Sequence, residues 1–438
     1  MPHSYLQVSW AGKLFRATPA SRSRPGDQPG RRPTLPPGGR IATLQKAQRS
    51  GGLGYHKAQS PQRSKAPTQG RVPPSACRID RGEERFPSPS QPLFIFQRPV
   101  KGRKGGRKPV DLAQALWLTA AMTEKALKVL VFGGTGTAGR GAVRALLEAG
   151  HEVRAFVRPG READLPAGAE AVTGALSDVT PGFAQPVDAV VSCLASRSGT
   201  PAEAWAIDHA VHLSILDAAR VHSVCQFVLL SAICVQRPLL GFQHAKLAFE
   251  EALIGAGLTW SIVRPTAFFK SLSGQVARVQ AGKPFLLFGD GRLTACKPIS
   301  DDDLGRFIAS CLADPQKQNR ILPIGGPGPA ITPLDQGQAL FDMLDQPPRF
   351  RHVPLRLMDG IVGGLSLAGR LSAKARAKAE LARIGRYYAS ESMLVWDEAK
   401  QRYDAEATPE TGEERLFGFY ERLISGEARI DLGAHAVF

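Results

Sequence analysis

The sequence has few cysteines, and none of them lie in the spacing of a metal or redox motif. The six thiols are spread along the chain, most of them in apolar segments: Cys77, Cys193, Cys225, Cys234, Cys296 and Cys311. Iron–sulfur clusters and structural zinc sites need short, regular Cys spacings, so both classes are excluded. Such thiols are typical of small core residues in a reduced compartment. His209 and His212 could share a helix face, but with no third ligand nearby we interpret them as helix-surface residues and predict no metal site.

Long apolar runs are also absent from the sequence. No stretch reaches the roughly 18 apolar residues that a membrane span requires. Residues 1–20 contain no apolar core of the kind that a secretory signal needs. The sequence therefore predicts no transmembrane helix.

Acidic residues are scarce in the first part of the chain. Residues 1–121 hold 22 Lys and Arg against 5 Asp and Glu, and 16 of the 34 prolines. The formal charge of +17 therefore belongs to this segment, because the charges balance from Met122 onward. A Pro- and Gly-rich segment without an apolar period buries too little surface to offset its ordering entropy. We predict that residues 1–121 form a disordered basic extension.

Three explanations compete for this extension. We favour a true start at Met122, because 122-MTEKALKVLVFGG-134 reads as an ordinary N-terminus and the preceding composition resembles translated GC-rich non-coding DNA. This predicts a cytoplasmic protein. An organelle transit peptide ranks second, since the segment is rich in Arg and Ser and poor in acids, and it predicts a plastid stroma. Nucleic-acid binding through 101-KGRKGGRK-108 ranks last, because no aromatic residues interleave the basic run.

A glycine-rich loop follows the first apolar segment. The run 128-KVLVFGGTGTAGRGAVRALLEAG-150 reads as a strand, a tight loop and an amphipathic helix. The first glycine of its GxxGxxG spacing allows a sharp turn, the second lets backbone approach a pyrophosphate, and the third lets the helix pack against the strand. The helix N-terminus then offers free N–H groups to phosphates. The predicted cofactor contacts of this loop are Gly133, Thr135, Gly136, Thr137 and Gly139.

The next strand lacks the acid that usually ends it in an NAD-selective site. The segment 151-HEVRAFVRPG-160 ends in Arg158, and Arg161 follows. A guanidinium suits the 2′-phosphate of NADPH through bidentate charge-assisted hydrogen bonds. The sequence therefore favours NADPH over NADH, with a solvated surface arginine as the alternative.

Strands and helices continue to alternate up to about residue 265. Buried strands are predicted at 170–174, 188–195, 225–232 and 258–265, and the helices between them at 203–220 and 243–257. The alternation predicts an α/β fold, a Rossmann-type doubly wound parallel sheet. Its carboxyl edge, where ligands bind, would hold Ser231, Leu194 and Ala195. Asp178 would meet the adenine ring or cap a loop.

The last third of the sequence favours helices. We place an NAD(P)-binding domain at 122–298 and a mostly helical, substrate-covering part at 299–438. An N-capped helix is predicted at 301–315. A single long helix at 356–385 would cover an apolar pocket or lie on a membrane surface as a peripheral contact, and plain packing is the favoured alternative.

Six long blocks carry a resemblance to a known family. They are 192-SCLASRSGTPAEAWAIDH-209, 229-LLSAICVQRPLLGFQHAKLAFE-250, 260-WSIVRPTAFFKSLSGQV-276, 285-FLLFGDGRLTACKPISDDDL-304, 322-LPIGGPGPAITPLDQG-337 and 383-RIGRYYASESMLV-395. From about Lys128 to the C-terminus the sequence resembles the NADPH-dependent divinyl chlorophyllide 8-vinyl reductases, atypical NmrA-like short-chain dehydrogenases. The resemblance implies hydride transfer from NADPH to the 8-vinyl group of a Mg-tetrapyrrole, which gives the ethyl product. An unrelated flavin and iron–sulfur enzyme type for the same step is excluded by the cysteine spacing.

The sequence lacks the tyrosine that short-chain dehydrogenases use as a proton donor. That tyrosine precedes a lysine by four residues, but Phe242 stands four residues before Lys246. A ketone reductase must protonate oxygen, whereas reduction of a conjugated vinyl group places the proton on carbon. The resemblance implies that Phe242 is the family's own residue.

The same resemblance implies roles for the remaining site residues. Lys246 would hydrogen-bond the nicotinamide ribose, and Phe242 would pack against nicotinamide or the macrocycle. Pro265, Thr266 and Phe268 would contact the nicotinamide end. The candidates for the proton donor are bound water, Tyr387, Tyr388 and Lys270. His244 is a candidate axial ligand of the substrate Mg²⁺, although a surface histidine is favoured.

Two other functions stay open at the level of the sequence. One is a catalytically silent NADP-binding regulator, which would need no large apolar pocket. The other is a double-bond reductase acting on a smaller, phenylpropanoid-like aromatic molecule. The sequence leaves open which tetrapyrrole is preferred, which vinyl carbon receives hydride, and the oligomeric state.

Overall fold

Seven parallel strands form the central sheet of residues 126–430, which are the part of the chain that the computed structural model describes. In chain order they are β1 (Lys128–Phe132), β2 (Glu152–Val157), β3 (Glu170–Thr173), β4 (Ala189–Ser192), β5 (Gln226–Leu230), β6 (Thr259–Pro265) and, after a strand that lies elsewhere, β8 (Arg320–Ile324). Their order across the sheet is β3-β2-β1-β4-β5-β6-β8, and every pairing is parallel. The predicted Rossmann-type doubly wound sheet is confirmed. The prediction of a disordered extension at 1–121 lies outside the described residues.

Eleven α-helices lie among residues 126–430. They are α1 (Thr137–Glu148), α2 (Pro201–Ala204), α3 (His212–Val221), α4 (Gly241–Ile254), α5 (Phe269–Leu272), α6 (Val276–Gln280), α7 (Asp301–Ala313), α8 (Pro333–Met343), α9 (Leu355–Ala368), α10 (Ala373–Tyr388) and α11 (Leu416–Ser425). A π-helical segment, Trp205–Val211, joins α2 to α3. The helix predicted at 203–220 therefore has a local widening, a feature found frequently at functional sites.

Alternate residues of the central strands belong to two apolar cores, one on each face of the sheet. Val129 and Val131 of β1 face α1 and α7, whereas Leu130 and Phe132 face α3 and α4. A strand covered on both faces needs apolar residues at successive positions, which explains the apolar run of β1 from Val129 to Phe132. Each core thus fixes the sheet from one side and holds the strand ends in register.

The helices α1 and α7 approach each other at the level of the backbone. A Cβ atom on Gly305 would lie 2.3 Å from the carbonyl oxygen of Gly141, and one on Gly141 would lie 2.1 Å from that of Asp301. Only glycine fits both positions. Ser300 caps α7 by accepting a hydrogen bond from the N–H of Asp303 at 3.0 Å. The predicted capped helix at 301–315 is present as Asp301–Ala313.

The central sheet extends past the domain boundary that the sequence analysis places at residues 298 and 299. Helix α7 packs on α1, and β8 pairs with β6 as the edge strand of the main sheet. The sheet domain therefore continues to at least Ile324, because its edge strand β8 lies within residues 299–438, the predicted substrate-covering part. The remainder is mostly helical and adds two small sheets, β7 (Phe285–Phe288) with β9 (Phe350–Val353), and β10 (Val395–Asp397) with β11 (Arg402–Asp404).

The single long helix predicted at 356–385 is wrong, because the structure has two helices there. Helix α9 ends at Ala368 and α10 begins at Ala373. Ser372 ends the break by accepting a hydrogen bond from the N–H of Ala375 at 3.4 Å. Gly369 permits the turn, since a Cβ atom there would lie 3.0 Å from the Cα of Arg376. We call α9, the break and α10 the C-terminal hairpin.

No helix among residues 126–430 is both long and apolar enough to cross a membrane.

Candidate functional site

The glycine loop has the tight geometry that its spacing predicts. Gly133 adopts φ +79°, and a Cβ atom there would lie 2.7 Å from the carbonyl carbon of Cys193. A Cβ atom on Gly139 would lie 2.1 Å from the carbonyl oxygen of Gly133. The first and third glycines are thus required by backbone contacts. Gly136 is exposed and adopts φ −76°, so its lack of a side chain leaves the loop open to solvent.

The N-terminus of α1 is left without a side-chain cap. Within the described residues no side chain hydrogen-bonds to its first N–H groups, and its first turn contains no acid. Thr135 and Thr137 are half-buried beside it. An uncapped N-terminus combines free donors with the positive end of the helix dipole, which suits an anionic phosphate.

Lys270 lies at this same helix end. Its Nζ donates to Oγ1 of Thr137 at 3.1 Å. Asp301 lies close to it, and one oxygen of that carboxylate, Oδ1, makes no hydrogen bond within residues 126–430. Burial, reinforced by Asp302, raises the pKa of Asp301 to about 6, although Lys270 acts in the opposite direction. Lys270 is therefore placed for phosphate contact more than for proton transfer to substrate.

Arg158 is exposed directly after β2, at the carboxyl edge of the sheet. Among residues 126–430, no carboxylate or carbonyl holds its guanidinium. Arg161 differs, because it pairs with Asp164. Of these two arginines, Arg158 is the one left available for a ligand.

Asp178 is a loop-capping residue in this structure. Its Oδ1 accepts hydrogen bonds from the backbone N–H of Thr180 at 3.0 Å and from the hydroxyl of Thr180 at 2.6 Å. These bonds lower the pKa of Asp178 below its usual value. The side chain is exposed, so contact with an adenine ring stays a prediction.

Lys246 forms a largely buried ion pair that the sequence analysis did not find. Its Nζ lies 3.0 Å from Oδ1 of Asp208, with the lysine side chain 12% exposed and the aspartate side chain 0% exposed. The same carboxylate lies at hydrogen-bonding distance from the N–H of Ser196, at 3.3 Å. Asp208 belongs to the π-helical segment, so the local widening of that helix is where the lysine is held. An acid inside the apolar segment AWAIDHAV was the signal available in the sequence.

His212 was wrongly assigned to the helix surface. It is 1% exposed, its Nε2 lies 2.8 Å from Oγ of Ser192, and its Nδ1 lies 2.9 Å from the carbonyl oxygen of Ile207. Burial and the neighbouring Lys246 lower the pKa of His212 to about 4. Among residues 126–430, no group of three or more His, Cys, Asp or Glu side chains is arranged to hold a metal ion.

Ser231 is engaged in a buried polar network at the end of β5. Its hydroxyl donates to Glu250, which also pairs with Arg264 of β6. Ser231 is 6% and Glu250 is 2% exposed. The network holds α4 against the ends of two strands. Ser231 therefore has a positioning role in this structure, and its contact with a ligand stays a prediction.

Phe242 packs in an apolar cluster that joins α4 to the C-terminal hairpin. It is 8% exposed and shares the cluster with Cys234, Ile384 and Tyr387. A Cβ atom on Gly199 would lie 3.7 Å from Cδ1 of Phe242 and 2.9 Å from Cδ1 of Ile384. The inner face of α10 therefore covers the position where other members of the fold carry a tyrosine.

The two adjacent tyrosines of α10 both approach Cys234. The hydroxyl of Tyr387 donates to the carbonyl oxygen of Cys234 at 3.2 Å, and burial raises the pKa of Tyr387 well above its usual value. The hydroxyl of Tyr388 lies 4.0 Å from Sγ of Cys234. Gln243 donates to the same carbonyl oxygen at 2.8 Å. Tyr387 thus positions the turn after β5, and His244 is exposed on the other side of α4.

The remaining predicted contacts lie at the carboxyl ends of β4 and β6. Pro265 ends β6, and Thr266 is buried with its hydroxyl donating to the carbonyl oxygen of Lys297. Phe268 is half-buried and bridges to Ile299. Leu194 and Ala195 follow β4 and are half-buried and exposed, respectively. These segments meet at one edge of the sheet, as expected for parallel strands.

The residues present fit a dinucleotide at this edge. Gly133 and Gly139 form a backbone cradle that any side chain would fill, and the uncapped end of α1 faces it. Lys270 adds a cation at the same end. The sheet edge thus has a phosphate end at α1 and, after β4, β5 and β6, a second end with the Lys246–Asp208 pair.

Comparisons with known proteins agree with this geometry. A profile described as NAD(P)H-binding matches residues 133–315, and these residues span the glycine loop, the Lys246–Asp208 pair and α7. This supports a nicotinamide dinucleotide as the cofactor. The structure of the epimerase Mth375 from Methanothermobacter thermautotrophicus is similar with a TM-score of 0.52 at 16% identity, covering 69% of this chain and 93% of that one. At this identity the similarity bears on the fold alone.

Two plant proteins are similar over almost their whole length. The chloroplastic divinyl chlorophyllide a 8-vinyl-reductase of Oryza sativa subsp. indica is 46% identical over 379 residues, which cover 79% of this chain and 94% of the rice protein. The protein of the same name from Zea mays is 44% identical over 384 residues, which cover 80% of this chain and 96% of the maize protein. With the dinucleotide cradle and a phenylalanine one turn before the paired lysine, this identity shows that the chain belongs to the divinyl chlorophyllide a 8-vinyl-reductase family.

Proposed function

We propose that this protein reduces the 8-vinyl group of divinyl chlorophyllide a, or of its proto form, to an ethyl group with NADPH. The observation that carries the proposal is that Lys246, largely buried and ion-paired with Asp208, is preceded by Phe242 one turn earlier on α4. A phenyl ring cannot protonate an oxygen, so this site is unsuited to a ketone and compatible with reduction of a carbon–carbon double bond. The names of the rice and maize relatives support the same substrate.

The cofactor would be held along the carboxyl edge of the sheet. Gly133, Gly136 and the first turn of α1 would bind the pyrophosphate, and Lys270 would add a charge-assisted contact. Arg158 would bind the 2′-phosphate. When bound, NADPH supplies the hydride.

The chain's own residues would orient the nicotinamide end and exclude water there. Lys246 would reach the nicotinamide ribose from its position on α4, while Asp208 fixes its side chain. Pro265, Thr266 and Phe268 would line the same end, and Phe242 would give the macrocycle an apolar surface. Because Tyr387 donates to a carbonyl oxygen and Lys270 to Thr137, bound water and Tyr388 are the candidates for the proton donor that remain.

We infer a plastid location for the protein. The rice and maize relatives are named chloroplastic, which supports the transit-peptide explanation of residues 1–121 over a start at Met122. Attachment of residues 1–121 to a fluorescent protein tests this. We expect import into isolated chloroplasts with removal of the segment. Failure of import would favour a cytoplasmic protein instead.

The enzymatic test uses the full chain and a version that begins at Met122. Each is mixed with divinyl chlorophyllide a and either NADPH or NADH, and the Soret band is followed. We expect a blue shift as the vinyl group is lost, with NADPH far more effective than NADH. If NADPH binds but neither the chlorophyllide nor its proto form changes, the protein is a silent NADP-binding regulator, or a reductase of a smaller aromatic molecule.

Arg158→Ala should lower activity with NADPH and leave activity with NADH nearly unchanged. Loss of a charge-assisted contact to the 2′-phosphate costs about 1.5–3 kcal/mol, so kcat/KM with NADPH should fall roughly 10- to 150-fold. With NADH the value should change little. The matched control is Arg161→Ala, because Arg161 is already paired with Asp164. Equal losses with both cofactors would show that Arg158 does not select the cofactor.

A further inference from the structure

The outward face of helix α9 is apolar and uncovered. Leu357 and Leu367 are 45% and 63% exposed, and Leu371, just past the end of the helix, is 95% exposed. Gly360 and Gly364 lie between them, and a Cβ atom on either would meet no atom within 4 Å. Within the helix, the intervals of three and four residues place Leu357, Gly360, Gly364 and Leu367 on one face, away from the buried Met358, and the exposed Leu371 follows in the break.

Exposed basic side chains follow this face in the break and in the first turns of α10. Residues 360–379 contain four Lys and Arg and no Asp or Glu. Arg370, Lys374 and Lys378 are exposed, and within residues 126–430 no carboxylate pairs with them. The acids nearest in sequence are already neutralised, since Asp359 pairs with Arg386 and Glu380 pairs with Arg383.

We propose that the C-terminal hairpin docks on an anionic lipid bilayer through this face. An apolar helix face flanked by unpaired cations is the pattern of a helix that lies in the membrane interface, where leucines enter the acyl boundary and cations contact headgroups. A second copy of the chain fits less well. Pairing of two such faces would bring the cations of both copies together with no acids between them.

The two sides of the hairpin then have different tasks. Its outer side carries Leu367 and Leu371 toward lipid, while Ile384 and Tyr387 on its inner side pack against Phe242. The same element that covers the candidate substrate site therefore contacts the membrane. This assignment goes beyond the proposed reaction and does not require it.

Vesicle flotation of the full chain tests the proposal. One set of vesicles contains phosphatidylcholine alone and the other also contains phosphatidylglycerol. We expect the protein to float with the second set and much less with the first. The variant Leu367→Ser with Leu371→Ser, and the variant Lys374→Glu with Lys378→Glu, should each weaken partition about tenfold or more.

Matched controls test whether the loss of vesicle binding is specific to substitutions in the hairpin. Leu293 is 46% exposed outside the hairpin, and Lys283 is an exposed cation in a loop. Leu293→Ser and Lys283→Glu should leave partition unchanged. The basic residues of segment 1–121 are shared by all variants, so the difference between variants isolates the hairpin. Binding of NADPH, measured by fluorescence, should be the same in every variant, which shows that folding is intact.

Three outcomes would overturn the proposal. The first is that the full chain floats with neither set, or equally with both. The second is that the hairpin variants float as well as the parent does. The third is that the leucine variant alters the mass of the protein in solution without altering flotation, in which case a second copy covers the face. None of these outcomes bears on the Soret assay, so the reductase proposal stands or fails separately.

Discussion

The ion pair of Lys246 in α4 with Asp208 shows how much of the candidate site depends on single side chains. The two side chains are 38 positions apart in sequence and have little contact with solvent. A buried ion pair is costly to break, because the remaining charge is left without a partner. Any test of Lys246 must therefore separate loss of chemistry from loss of stability.

We predict that Lys246→Met lowers stability by about 3–5 kcal/mol, since Asp208 is left buried and unpaired. It should also lower the rate in the Soret assay by at least about 100-fold. The double variant Lys246→Met with Asp208→Asn should recover most of the stability and none of the activity. Chemical denaturation and the Soret assay measure the two quantities. A double variant that recovers both would make the lysine a structural residue only.

His212 should make the protein sensitive to acid. Its pKa in the folded protein is about 4, against a usual value of 6.5, because it is buried as the neutral form. Below pH 6.5 the unfolded chain binds a proton that the folded protein does not bind until about pH 4. The free energy of unfolding should therefore fall by up to about 3 kcal/mol as the pH drops across this window.

The variant His212→Gln tests whether His212 causes this loss of stability at low pH. It should be less stable at pH 7, since a buried hydrogen-bonding group is altered, yet its stability should change less between pH 6.5 and 4 than that of the parent. His209 lies on the same helical stretch and is only half-buried, so His209→Gln is the matched control and should keep the parent's pH dependence. Denaturant titrations at several pH values give the comparison. A parent-like slope in His212→Gln would contradict the assignment.

Among the structural elements, the contact of α1 with α7 shows how two glycines set a helix packing distance. Gly305 of α7 lies on the backbone of Gly141, where a Cβ atom would meet backbone atoms that have no freedom to move aside. This contact holds α1, the helix that begins at the glycine loop. Both glycines were visible in the sequence, but neither spacing nor periodicity indicated that they meet.

Gly305→Ala should destabilise the protein by at least about 2 kcal/mol, because the two helices must separate. It should also weaken NADPH binding, since α1 carries the phosphate site. Gly364 offers the control, because it lies inside α9 with open space around it. Gly364→Ala should be neutral, or stabilising by up to about 1 kcal/mol. Thermal unfolding with and without NADPH measures both effects, and equal behaviour of the two variants would contradict the packing argument.

At the scale of the whole molecule, the C-terminal segment is tied back onto the sheet domain by buried polar groups. Asp303 of α7 is 1% exposed, and its Oδ2 accepts hydrogen bonds from the N–H groups of Glu413 and Glu414 at 3.2 and 3.0 Å. Lys297 binds Glu410 in the same region, and the guanidinium of Arg237 lies 4.0 Å from the ring centre of Trp396. These contacts attach the segment from Trp396 to Glu414 to the sheet domain.

Asp303→Asn should loosen this attachment and cost about 1–3 kcal/mol, because an amide placed there cannot replace both acceptor oxygens. Its neighbour Asp302 makes a half-exposed ion pair with Arg144, so Asp302→Asn should cost no more than about 1 kcal/mol. Limited proteolysis near residues 410–415, compared with global unfolding, measures the effect. Protection equal to that of the parent in Asp303→Asn would show that the attachment lies elsewhere.

The sequence by itself determined the sheet, the glycine loop and the position of the missing tyrosine. These features are local, because the alternation of apolar residues in a strand, the glycine spacing and the interval from Phe242 to Lys246 are set within a few residues of one another. The run from Val129 to Phe132 is apolar at every position, and it became the buried part of the central strand β1. The blocks that resemble the reductase family gave the same answer as the comparison with the rice protein.

Tertiary structure alone decided which side chains meet. The partner of Lys246, the burial of His212, the contact of Lys270 with Thr137 and the return of β8 to the sheet all depend on residues far apart in the chain. For this reason the sequence analysis did not foresee that the sheet extends past residue 298, and its single helix at 356–385 was wrong. Edge pairing with β6 and the packing of Gly369 on Arg376 are long-range or folded-state contacts, and an apolar period carries no information about them.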